Sequence, residues 1–143
     1  MSNVYESANL ILKLYELRRE PTMREARAWY VRGFNPGSVE DIVSALSGPN
    51  SAYFRMVTTY WDMAASLVLN GAIDEQMFSD ANGEHLVVFA KVEPYLGEYR
   101  TRLGNPAYLG SIERLVLKMP NAKERLAALR ERFRQMAQAA SNR

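Results

Sequence analysis

The sequence predicts an all-α protein, a compact orthogonal or bundle-like domain of six to eight helices around one buried central helix at residues 53–71. Three observations carry this expectation. Apolar residues recur at three- and four-residue spacing through most of the chain, no useful stretch alternates as a strand would, and Gly, Pro, Asn and Ser fall where helices would end. At 143 residues the chain suits one domain and can bury a core without disulfides or a structural metal.

The central stretch sets the class. At about 100° per residue, Tyr53, Phe54, Met56, Val57, Tyr60, Trp61, Met63, Ala64, Leu67 and Val68 cover well over half of its circumference, as in a helix packed on several sides. Only Arg55, Thr59, Asp62 and Ser66 form a polar strip, spaced four, three and four residues apart. Two roles suit that strip. It either faces water or pairs with a base such as Arg18 or Arg19, or it lines a cleft in which Asp62 is a desolvated acid or base.

The other elements follow in order. Asn3 is expected to cap a first helix to about Arg19, with Val4, Ala8, Ile11 and Tyr15 on one line and Leu10, Leu14 and Leu17 beside it, apolar enough for the core. Pro21 stops it. Thr22-Met-Arg-Glu25 then reads as a capping box for a second helix to about Arg32, carrying Met23, Ala26, Trp29 and Tyr30. Ser38-Val-Glu-Asp41 opens a short third helix that ends at Ser47-Gly48-Pro49. The central helix runs from about Asn50 to Asn70-Gly71, where glycine supplies the left-handed stop.

After a short turn from Asp74 to Phe78, a long helix from Asn82 sets His85, Phe89, Val92, Leu96, Tyr99 and Leu103 on one stripe, with Pro94 opposite and a bend expected there. Gly104 ends it, and Asn105 with Pro106 reads as cap and first position of the next helix, which carries Tyr108, Ile112, Leu115, Val116 and Met119. Asn121-Ala-Lys-Glu124 opens the last helix, residues 121–141. There Ala122, Leu126, Leu129, Phe133, Met136 and Ala140 alternate four and three apart, a seam nearly three heptads long.

Composition excludes some chemistry. The chain has no cysteine, so disulfides, thiolate metal sites and cysteine nucleophiles are absent. The N-terminus lacks the basic start and cleavage site of a signal peptide, and no apolar run reaches the ~20 residues of a membrane span, so a cytoplasmic protein is expected. His85 is the only histidine and accompanies neither a nucleophile-elbow spacing nor a Glu-x-x-His pair, so no catalytic residue, metal ligand or cofactor is assigned.

The net charge of +2 is uneven, with seven Lys or Arg after Leu117 against Glu124 and Glu131. On the last helix those bases border the apolar seam and the acids lie opposite, a pattern of packed helices that disfavours nucleic acid as a partner. Self-association through Leu126, Leu129, Phe133 and Met136 suits the seam better. Arg100, Arg102 and Asn105 are a candidate anion site, because two guanidiniums and a helix start can converge there.

Leu14-Tyr-Glu-Leu17-Arg18-Arg19 before Pro21, Arg24-Glu-Ala-Arg27-Ala-Trp29, Asn70-Gly71-Ala-Ile73-Asp74 and Arg100-x-Arg102-x-Gly104-Asn105-Pro106 succeed one another along the chain. In this succession the sequence resembles a bacterial all-helical family known as a domain of unknown function, over about residues 5 to 115. The resemblance implies a compact helical domain and no assigned activity. The expectation is a non-enzymatic protein-interaction or regulatory module, possible as a homo-oligomer through the last seam or an exposed aromatic face. The alternative is a small-molecule or anion-binding domain.

Overall fold

Helix α4 (Ser51–Leu69) runs through the middle of the computed structural model, which describes residues 3–142. Phe54, Val57, Thr58, Tyr60, Trp61, Ala64, Ala65 and Val68 are all buried on it, so neighbours must enclose it from several directions. Around it lie α1 (Val4–Arg18), α2 (Pro21–Ala28), α3 (Val39–Ser47), α5 (Glu75–Ala81), α6 (Glu84–Leu103), α7 (Gly110–Leu117) and α8 (Ala122–Ser141). Helices α7 and α2 make its most extensive contacts, α3 bridges α4 to α6, and α8 lies on α6. The described residues contain no strand, and no helix among them is long and apolar enough to cross a membrane.

The all-α class and the central helix agree with the sequence, and several helix starts need correction. The first helix ends before Pro21 as expected, but Pro21 is itself the first residue of α2, and the Glu20 carboxylate rather than Thr22 accepts the Met23 amide at 2.8 Å. Proline at that position loses no intrahelical hydrogen bond. Helix α7 begins at Gly110, not Pro106: Asn105 Oδ1 accepts the Ala107 amide at 3.1 Å and closes a turn, and Leu109 sits in the left-handed region with φ 54°. Asn121 also takes φ 54° and caps nothing with its side chain, a conformation that asparagine tolerates well. At α3 the expected cap holds. Ser38 Oγ accepts the Asp41 amide at 3.2 Å, and Asp41 Oδ2 accepts the Gly37 amide at 2.7 Å.

Helix α2 runs on into one π turn, Trp29–Gly33. Its wider winding leaves main-chain carbonyls pointing inward, and the ammonium of Lys91 on α6 collects them. Lys91 Nζ donates to the carbonyls of Tyr30, Val31 and Phe34 at 2.8, 2.9 and 2.6 Å. Burial pulls its pKa down to about 8. The Tyr30 hydroxyl donates to Val88 O at 2.7 Å, so α2 and α6 are joined by a reciprocal pair of polar contacts inside the core.

Pro94 lies within a continuous α6 and is exposed. Without an amide hydrogen it cannot bond the carbonyl of Ala90 one turn back. Arg130 on α8 takes that carbonyl, Nη1 to O at 2.9 Å, and also reaches Glu93 at 3.5 Å, while Lys123 pairs with the same carboxylate at 3.2 Å. Proline thus creates the acceptor on which the last helix docks. Replacing Arg130 by Ala should destabilise the fold by about 2 kcal/mol, and by less than about 1 kcal/mol in a Pro94→Ala background, where residue 94 again supplies a donor. Urea unfolding of the four variants of this cycle measures the coupling; equal losses in both backgrounds would contradict it.

Candidate functional site

At the corner between α1 and α2, Tyr15, Arg18, Arg19, Arg24 and Arg27 line an open cleft of about 490 Å³. Two of its guanidiniums are held from behind. Arg18 Nη1 donates to Asn82 Oδ1 at 2.8 Å, and its guanidinium lies 5.3 Å from the Trp61 ring and 5.4 Å from the Tyr15 ring. Arg27 Nε donates to Glu84 Oε2 at 2.8 Å, and Trp61 Nε1 donates to the same oxygen at 3.1 Å. The buried ring of α4 therefore orients both a cation and the carboxylate that fixes its neighbour. Burial lifts the Tyr60 hydroxyl to about 12, the charges of Arg18 and Arg27 notwithstanding; it donates to Leu14 O at 2.5 Å. That bond ties the C-terminal half of α1 to α4.

Beside the cleft, α1 presents a second feature. The line Val4, Ala8, Ile11 and Tyr15, read as core-facing, turns mostly outward, while Ser7 and Leu14 make the buried face. Val4, Tyr5, Leu12 and Tyr15 are 61, 82, 64 and 52 % exposed. Ser7 fits the interior because its hydroxyl accepts the Asp74 amide at 3.0 Å, at the start of α5. Apolar residues lie on both sides of this helix, and a pattern rule cannot choose between them.

The polar strip of α4 divides. Arg55 and Thr59 are exposed, and the Thr59 hydroxyl donates to the Arg55 carbonyl at 2.5 Å. Ser66 Oγ accepts from Asn70 at 3.3 Å. Asp62 has no ion pair with Arg18 or Arg19 among the described residues: its Oδ1 accepts the Ile112 amide at 2.9 Å. Helix α7 has no cap of its own, so α4 supplies one across the core. Met63, expected inside, is 44 % exposed, and Thr58 takes a buried place by donating to Phe54 O at 2.8 Å.

Arg100 and Arg102 point apart. Arg100 Nε donates to Tyr108 O at 2.8 Å and Nη1 pairs with Glu113 at 3.0 Å, whereas Arg102 pairs with Glu40 and Glu98 at 2.6 and 2.9 Å. Asn105 serves its own turn. The last seam also divides: Leu126 is fully buried in the chain's own core, Leu129 and Phe133 are half-buried, and Met136 is 54 % exposed.

His85 is buried between Trp61 and Phe78, with ring centroids 5.9 and 5.1 Å away, and its Nδ1 has no partner among the described residues. Burial pulls its pKa down to about 4. The arginine corner and Lys91 were missed in the sequence. For the corner there was a signal, four arginines within ten residues around Pro21, whose spacing on two helices gave no common face. Lys91 gave none, a single base in an apolar run.

Fold and surface define an all-helical domain with a cationic cleft and an outward apolar helix face. The chain belongs to the family described as Domain of unknown function (DUF4760), whose model matches residues 3–119. Helix α8 lies beyond the matched segment. Neither a curated protein nor a solved structure matches the chain.

Two measurements test these assignments. Asp62→Ala should lower stability by about 1 kcal/mol through loss of the α7 cap, and Asp62→Asn by less, because its carbonyl oxygen still accepts; denaturant titration reads both. For His85, the folded pKa of about 4 lies below the ordinary 6.5, so as pH falls from 6.5 the unfolded chain takes up a proton that the folded chain refuses. Stability should fall by up to roughly 3 kcal/mol by pH 4 on this account. In His85→Phe that share of the pH dependence should vanish, and a profile identical to the parent would count against it.

Proposed function

We propose that this protein is a non-enzymatic interaction module that self-associates through the outward face of α1. The observation that supports this reading is a seam of Tyr5, Ala8, Leu12 and Tyr15, three, four and three residues apart, on a helix whose other face already meets the core. Its spacing suits a second helix. Its order suits a second copy: two antiparallel α1 helices in register about this seam would oppose Ala8 to Leu12 of the other copy, small against large, and Tyr5 to Tyr15, ring against ring.

The C-terminal seam supports self-association less well, since its first two turns are used within the chain. Tyrosine is enriched among the residues that dominate interface energy, and Tyr5 and Tyr15 supply two per copy. Light scattering over a concentration series should find a dimer for the full chain and a monomer for Leu12→Glu, with the stability of the monomer changed by no more than about 0.5 kcal/mol because the site is exposed. A full chain that stays monomeric, or a Leu12→Glu variant that stays dimeric, would overturn the reading.

A further inference from the structure

We infer that the cleft between α1 and α2 binds a terminal phosphate group through Arg18, Arg19, Arg24 and Arg27. The site is formed within one chain and does not depend on pairing of α1. Most of the positive charge in this cleft has no paired carboxylate. Of the four guanidiniums, only Arg27 has a carboxylate partner among the described residues, Glu84 at 2.8 Å. Arg18 is held by the neutral amide of Asn82 and by aromatic rings, and Arg19 meets the Tyr15 ring at 5.8 Å.

Nearby carboxylates are engaged elsewhere. Glu16 lies 3.9 Å from Lys13, Glu20 caps the Met23 amide, and Glu25 accepts the Tyr53 hydroxyl at 2.9 Å. Three cations thus share a concave surface with no carboxylate paired to any of them among the described residues, and they repel one another. A multivalent oxyanion would relieve it.

The geometry favours phosphate over a single carboxylate. Guanidinium groups present planar forks of donors that match phosphate oxygens two at a time. Arg18 and Arg27 are fixed in advance by Asn82, Trp61 and Glu84, so little ordering remains to be done on binding, while Arg19 and Arg24 are exposed and able to close over the ligand.

Titration calorimetry with inorganic pyrophosphate at constant ionic strength tests the site, with Arg19→Gln and Arg24→Gln as variants, both at exposed positions whose side chains make no ion pair among the described residues. Saturable binding is expected, about tenfold weaker in each variant. Arg24→Lys should recover only part of the loss, and Arg132→Gln on α8 should bind as the parent does. A second arm uses phosphatidylcholine vesicles with and without phosphatidic acid. Binding to pyrophosphate assigns a soluble ligand, and binding confined to vesicles with phosphatidic acid assigns a lipid phosphate, provided either is weakened by Arg19→Gln and Arg24→Gln. Absence of binding in both arms, or binding that these variants leave unchanged, overturns the inference.

Discussion

A helix buried around most of its circumference must be enclosed by neighbours arriving from different directions, and α4 imposes that constraint here. With Phe54, Val57, Trp61 and Ala64 wholly inaccessible, no pair of flanking helices suffices. The chain instead wraps short helices across α4, and short helices have many ends for their length. Each end leaves main-chain donors or acceptors that have to be satisfied, several of them inside the fold.

Long-range side chains meet much of that demand. Asp62 crosses from α4 to the start of α7, Lys91 from α6 to the carbonyls of the π turn, Ser7 from α1 to the start of α5, and Arg130 from α8 to the carbonyl that Pro94 leaves open. A charge used in this way fixes the relation of two elements as well as one end. Removing either partner leaves the other buried and unsatisfied, so these contacts specify the arrangement of the helices more than they add to its net stability. His85 is the contrary case, a polar ring accepted for its shape, with Nδ1 left without a partner.

Polar residues consumed inside the fold are withdrawn from the surface chemistry. Asp62 and Arg100 would each have suited a site by type, and each bonds a neighbouring element, with only Nη2 of Arg100 left without a partner among the described residues. What remains conspicuous outside is the α1–α2 corner. There an apolar helix face and a group of arginines adjoin, and the same Trp61 that anchors α4 positions Arg18 and Glu84 beneath them. Core and candidate surface are therefore mechanically continuous.

Helix class, the central position of α4, the glycine stops at Gly71 and Gly104, and the box at Ser38–Asp41 were legible in the chain, because each depends on neighbours within four or five residues. The corrected starts at Pro21 and Gly110 failed for the opposite reason: Thr22 and Pro106 have the right residue types, yet Glu20 and the distant Asp62 make the bonds. Which side of α1 turns inward was likewise undecided locally, since Val4, Tyr5, Leu12 and Tyr15 are as apolar as Leu10 and Leu14. Only packing against α4 and α5 settles it, through the Tyr60 and Ser7 bonds. The arginine corner arises in the same way, because residues on two helices share a cleft only once the turn at Glu20 has set the helices against one another.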